Sequence, residues 1–177
     1  MKVKDKEFEV YITEAELAEV VEQLAARINS DYAGKHPLIC PVLTGSFIFA
    51  ADLVRKLAMK CEVEFVKYTS YEGMHSTGNV QAQLPFTTKM KGRDIIIVED
   101  IVDSGISMNY MLHELAKLEP ASVKVCSLLL KPGCFKGGFK VDYVGKEIGN
   151  DFIVGYGMDY DGEGRGLRAI WKLKNEN

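Results

Sequence analysis

Apolar and polar positions alternate over residues 8–11, a period of two that predicts a short strand. The period then lengthens. Thr13-Glu14-Ala15-Glu16 predicts a capping box, with Thr13 as N-cap and Glu16 reaching back, and Ile12 and Leu17 can staple across it. Leu17, Val20, Val21, Leu24 and Ile28 fall on one stripe of a long amphipathic helix that ends within 29–34. Residues 37–43 read as a buried strand whose prolines predict an irregular place away from mid-sheet. It runs through Thr44-Gly45-Ser46 into a helix with Phe47, Ala50, Leu53, Val54 and Leu57 on its apolar face. Residues 94–98 are branched and apolar, which predicts a strand buried on both faces. That run breaks into Glu99-Asp100-Ile101-Val102-Asp103-Ser104-Gly105-Ile106-Ser107, and Met108, Met111, Leu112 and Leu115 then recur at helical spacing.

The remaining segments fit the same alternation of strand and helix. Residues 61–67 read as a strand through Val63 and Phe65. Residues 69–79 are polar, contain glycine and lack periodicity, which predicts a long loop or hairpin tip of the kind that serves as a lid, with 80–85 as the return strand. Residues 123–130 are another buried strand, with Lys131 at its end and Pro132-Gly133 after it. Two short β-rich runs, 143–148 and 152–156, precede a closing strand within 167–173. Strands alternating with helices predict an α/β fold with a mostly parallel central sheet flanked by helices. Neither a repeat nor a low-complexity linker divides the chain, so residues 1–177 are expected to form one domain.

Composition narrows the classes. The formal net charge is −3, with acids and bases spread along the chain, so no basic block points to nucleic acid. Residues 1–9 are charged and lack the apolar stretch of a secretory signal, and no apolar run is long enough to span a bilayer, so a cytoplasmic protein without membrane contact is expected. Cys40, Cys61, Cys126 and Cys134 show no CxxC spacing and are expected to be reduced. His36, His75 and His113 are dispersed and predict no metal cluster.

The chemistry concentrates where the 94–98 strand meets its helix. Such a turn lies at the carboxyl edge of a parallel sheet, where open α/β folds place their ligands. Gly105 allows close backbone approach or a positive φ. Ser104, Ser107 and the amides of 104–107 at a helix N-terminus suit one phosphate dianion. The turn has no lysine, which excludes a Walker loop. Glu99 and Asp100, just before it, suit a sugar diol or a magnesium ion, and Asp103 is left for proton transfer. Thr44-Gly45-Ser46 offers a second, weaker anion site made of backbone amides.

Phosphate, diol and metal in this order describe a ribose 5-phosphate unit. The stretch from Glu99 to Ser107 resembles the phosphoribosyl pyrophosphate signature of type I phosphoribosyltransferases: two acids, two apolar residues, then Asp, Ser or Thr, Gly, a variable residue, and Ser or Thr. The resemblance extends from about Leu38 to Leu173. It implies that family's fold, with a small hood over the carboxyl edge built from the N-terminal segment and about 131–177. It also implies that Thr44 and Gly45 stand in the pyrophosphate loop, where many relatives have a lysine in place of Thr44. Ser70 and Tyr71 match the Ser-Tyr pair of the family's closing loop.

The stretches Leu129-Leu130-Lys131 and Phe152-Ile153-Val154-Gly155-Tyr156-Gly157-Met158-Asp159-Tyr160 resemble, within this family, the hypoxanthine-guanine phosphoribosyltransferases. The resemblance implies that Lys131 donates to the purine 6-oxygen, Phe152 stacks on the base, and the backbone at Ile153 reads its edge. It likewise places Ile101 and Asp159 at the purine, Arg165 near the pyrophosphate, and Glu99, Asp100 and Asp159 around Mg2+. The phosphoribosyl pyrophosphate contacts it implies are Thr44, Gly45, Ser70, Tyr71, Glu99, Asp100, Asp103, Ser104, Gly105, Ile106, Ser107 and Arg165, with Asp103 as general base. A homodimer or homotetramer acting on hypoxanthine or guanine is the expectation. A regulator of this fold that binds phosphoribosyl pyrophosphate and nucleic acid is the alternative; an aspartate phosphotransfer domain would leave the Ser-Gly-x-Ser cup unexplained.

Overall fold

Thr13 opens the first helix as its sequence predicts. Its hydroxyl accepts from the Glu16 amide while the Glu16 carboxylate accepts from the Thr13 amide. In the computed structural model, which describes residues 1–70 and 80–174, the elements in chain order are β1 (Lys2–Val3), β2 (Lys6–Ile12), α1 (Glu14–Asp31), β3 (Leu38–Pro41), α2 (Phe47–Val54), β4 (Glu62–Val63), β5 (Lys67–Ser70), β6 (Val80–Leu84), β7 (Asp94–Val102), α3 (Ile106–Ala116), β8 (Ser122–Leu130), β9 (Tyr143–Glu147), β10 (Ile153–Val154) and β11 (Ile170–Leu173).

Five strands form one parallel sheet in the order β4-β3-β7-β8-β9. The central strand explains the continuous apolar run: Ile95, Ile96, Ile97 and Val98 are all fully buried. Because successive side chains face opposite sides of a strand, Ile96 and Val98 pack with α1 and α2, through Leu17, Val21, Leu24, Phe49 and Leu53. Ile95 and Ile97 pack on the other side with Met108, Met111 and Leu115 of α3. Helices on both faces leave only the strand ends open to ligand.

A second, four-stranded sheet in the order β1-β2-β11-β10 is antiparallel and joins the two ends of the chain. It is the small hood. It takes less of the chain than the span from about 131, because β9 completes the large sheet beside β8. Two other expectations are corrected. The stretch 61–67 is not one strand: β4 is a two-residue edge strand, Val66 bridges Val42, and β5 leaves to pair with β6. Its apolar alternation faces outward, with Val63 42% and Phe65 45% exposed; Val66 is buried in the core and Cys61 packs against its margin. Pro41 lies within an inner strand after all, because its carbonyl still accepts from the Val66 amide while Val42 bonds Val98 on the other side.

β5 and β6 form an antiparallel hairpin with Ser70 opposite Val80. Tyr71 lies outside the described residues, and of Ser70 only the backbone is described. All four cysteines are free, with Cys40 and Cys126 buried. Among the described residues no helix is long and apolar enough to cross a membrane.

Candidate active site

β7 delivers its acids to the carboxyl edge of the sheet in alternation. The chain leaves Val102, turns at Asp103 and Ser104, and enters α3 through Gly105, whose φ of 80° a side chain would disfavour. A cavity of about 140 Å³ forms there, lined by Glu99 and every residue from Ile101 to Met108. Ser104 Oγ caps the turn locally, accepting from the Ile106 amide at 3.4 Å. The first amides of α3 have no carbonyl four residues back to bond, and the helix dipole favours an anion against them.

A cavity of about 410 Å³ adjoins this cup and shares Ile101 and Asp103 with it. Its other walls are Thr44 and Gly45 after β3, Asp100 of β7, Lys131 after β8, and Phe152, Ile153, Met158, Asp159 and Arg165 of the hood. Three separate strand ends and the hood thus converge on one space. Lys131 is drawn inward, 8% exposed, because its own amide bonds the Val102 carbonyl at 3.0 Å and holds it beside the central turn. Its Nζ lies 3.1 Å from Asp103 Oδ2.

Glu99 and Asp100 occupy the junction. Glu99 lines the cup and Asp100 the larger cavity. Desolvation, then the charge of Asp100, pushes the Glu99 carboxyl well above the usual carboxylate range. Burial also raises Asp100, against hydrogen bonds that favour its charge, among them one from the Ile101 amide at 2.7 Å. Gly45 is required by this arrangement, since a Cβ there would stand 1.7 Å from Asp100 Oδ2. The hood closes on the same place: a Cβ at Gly157 would stand 2.0 Å from the Gly45 carbonyl oxygen.

Across the cavity Arg165 pairs with Asp159 at 2.7 Å and donates to the Gly157 carbonyl at 2.8 Å. Asp159 also accepts from the Gly162 amide at 2.7 Å. Phe152 presents a ring that is 45% exposed and braced edge-on by Tyr160, with centroids 5.6 Å apart at 86°, while Phe8 of β2 backs both at 6.3 Å.

This chain matches the family described as the phosphoribosyl transferase domain over residues 11–161. It belongs to that family. It is 40% identical over 174 residues to the hypoxanthine-guanine phosphoribosyltransferase of Lactococcus lactis subsp. lactis (strain IL1403), covering 97% of this chain and 94% of that one. Its identity to the hypoxanthine-guanine phosphoribosyltransferase of Bacillus subtilis (strain 168) is 37% over 166 residues, covering 93% and 92%. The fold superposes on a crystal structure of a hypoxanthine-guanine phosphoribosyltransferase from Bacillus anthracis with a TM-score of 0.89 and 34% identity, covering 96% of this chain and 99% of that one.

Within this phosphoribosyltransferase, most of the residues expected at the site come together. Thr44, Gly45, Asp100, Ile101, Asp103, Lys131, Phe152, Ile153, Asp159 and Arg165 share the larger cavity, and Glu99, Ser104, Gly105, Ile106 and Ser107 line the cup. Glu99, Asp100 and Asp159 do not form one cage: among the described residues no three metal-ligating side chains converge, and Asp159 is engaged by Arg165 and Gly162. Sequence reasoning passed over Met158, which lines the cavity, and Gly157 and Tyr160, which shape its wall. Gly155 and Gly157, on either side of Tyr156 at the end of the β-rich run, carried the available signal, since glycine there marks a close backbone approach without naming its partner.

Proposed function

We propose that this protein transfers the 5-phosphoribosyl group from phosphoribosyl pyrophosphate to hypoxanthine or guanine, forming IMP or GMP and releasing pyrophosphate. The observation that carries the reading is the continuity of the phosphate cup with a larger cavity through Asp103, which lines both and pairs with Lys131 at 3.1 Å. In this reading the 5-phosphate sits on the amides and hydroxyls of 104–107. Glu99 and Asp100 face the sugar hydroxyls where the two spaces meet. Thr44, Gly45 and Arg165 take the pyrophosphate end.

The purine lies against the exposed Phe152 ring, with Ile101 and the Ile153 backbone at its edges. The Lys131 ammonium has donors only, so it suits a 6-oxo group and opposes the amino group of adenine. The bond from the anomeric carbon to the pyrophosphate oxygen breaks and a carbon–nitrogen bond to the purine forms. The proton on that purine nitrogen goes to Asp103, its neighbour in the cavity.

The donor set fits magnesium, which takes one or two carboxylates and fills its remaining positions with water and substrate oxygens. Of the three acids expected around it, Asp100 and Asp159 share the larger cavity and would hold it, and when bound it supplies charge neutralisation at the leaving pyrophosphate. Self-association to a homodimer or homotetramer, checked by light scattering, belongs to the same reading. Incubation with phosphoribosyl pyrophosphate, magnesium and each purine in turn tests it. Nucleoside monophosphate should form with hypoxanthine or guanine; no product with any purine would overturn the assignment.

A further inference from the structure

The segment after Lys131 does more than leave the sheet. The amides of Cys134 and Phe135 both bond the Lys131 carbonyl at 3.1 Å, and the Lys136 amide then bonds the Ser104 carbonyl at 3.0 Å. One short loop therefore grips both the lysine at the purine end and the turn at the phosphate end. Its side chains fill the remaining gap. Phe135 and Phe139 meet edge to face, with centroids 5.2 Å apart at 89°. The ring pair is pinched between two glycines. A Cβ at Gly105 would stand 2.8 Å from Phe135 Cε2 and 3.2 Å from Phe139 Cε1; one at Gly137 would stand 2.7 Å and 2.5 Å from the same two atoms.

Neither ring lines the phosphate cup, so both stand behind the turn rather than over the anion. Phe135 is also outside the apolar clusters on the two faces of the sheet, and Phe139 touches only the margin of the α3 cluster. A half-buried aromatic pair that contributes little to the core, yet is packed against the glycine of the cup, is placed to fix a position.

We infer that Phe135, assisted by Phe139, is a positioning residue that braces the 104–107 turn against the Lys131 loop, setting the spacing between the phosphate and purine ends of the site. The inference rests on the transfer reading for what occupies those ends. It adds a second reason for glycine at 105: the missing side chain makes room for a ring as well as permitting the φ of 80°. An anion held by several amides at once loses charge-assisted hydrogen bonds when the turn shifts, and losing one costs about ten- to a hundredfold in affinity.

The test is calorimetric titration of the full chain with a nucleoside 5′-monophosphate and, separately, with the parent nucleoside. Phe135→Ala should weaken the monophosphate about ten- to a hundredfold and the nucleoside by less than about twofold. Phe135→Leu, which keeps most of the volume, should recover most of the loss. Should Phe135→Ala fail to fold, Phe139→Leu takes its place, with a smaller loss of the same kind. Equal losses on both ligands, or none on either, would overturn the brace. A wild type that binds monophosphate but yields no product with any purine would overturn the transfer reading and leave the brace standing.

Discussion

Lys131 Nζ lies 3.1 Å from Asp103 Oδ2, a direct ion pair on the wall of the cavity where the purine is proposed to bind. The ammonium is nearly buried while the carboxylate is half exposed. The pair holds the proposed proton acceptor and the proposed reader of the 6-oxygen within reach of one base. Asp103→Asn removes the acceptor but keeps the shape, and kcat should fall about 10²- to 10⁴-fold with little change in purine KM. Lys131→Met should instead raise purine KM and leave the KM for phosphoribosyl pyrophosphate near wild type. Steady-state kinetics varying each substrate separates the two outcomes.

Gly45→Ala tests the crowding at the junction. The new Cβ would stand 1.7 Å from Asp100 Oδ2, so the carboxylate must leave its place. The KM for phosphoribosyl pyrophosphate should rise, and overpacking should cost about 1–3 kcal/mol, read as a lower melting temperature. Normal kinetics in Gly45→Ala would show that Asp100 does not act from this position.

The raised pKa of Glu99 has a sign that can be checked. Its cause is desolvation, reinforced by Asp100, so the folded state holds a proton that the unfolded state releases. The stability this proton contributes is complete below the ordinary glutamate pKa and is lost as pH rises through the raised value. Glu99→Gln, neutral at every pH, should therefore melt above wild type at pH 8, with the gap closing as pH falls toward about 4.3. Phosphoribosyl pyrophosphate affinity in magnesium should fall in the same variant. A gap that widens toward acid would contradict the account.

The aromatic trio should act on one substrate only. Tyr160 holds Phe152 edge-on, and such contacts are worth about 0.5–1.5 kcal/mol each. Tyr160→Ala should raise purine KM about three- to tenfold and spare phosphoribosyl pyrophosphate. Equal effects on both substrates would mean that the ring only supports the hood.

The features that could be read locally were legible. The β7 run, its acidic exit and the glycine that opens α3 are neighbours in sequence, so residue type and spacing exposed them. Lys131 was placed at the sheet edge because it ends a buried strand. What escaped depends on meetings between distant segments. Phe135 against Gly105 leaves no local pattern, and Gly157 signals a close approach without showing that the Gly45 carbonyl is what it approaches. β9 looked like part of the hood because a five-residue strand carries no mark of the sheet it joins. Val63 and Phe65 have the alternation of a half-buried strand, but β4 is a two-residue edge strand, and Val63 within it and Phe65 beyond it are both exposed.

The central claim is that the 104–107 turn anchors the sugar phosphate while Lys131 meets the 6-oxo group of the base. A crystal structure of the complex with IMP tests both ends at once. The phosphate should lie within hydrogen-bond reach of the 104–107 amides, the ribose hydroxyls beside Glu99 and Asp100, and the 6-oxygen on Lys131 Nζ. A phosphate bound anywhere else, with Gly105 and its neighbours away from the ligand, would contradict the account.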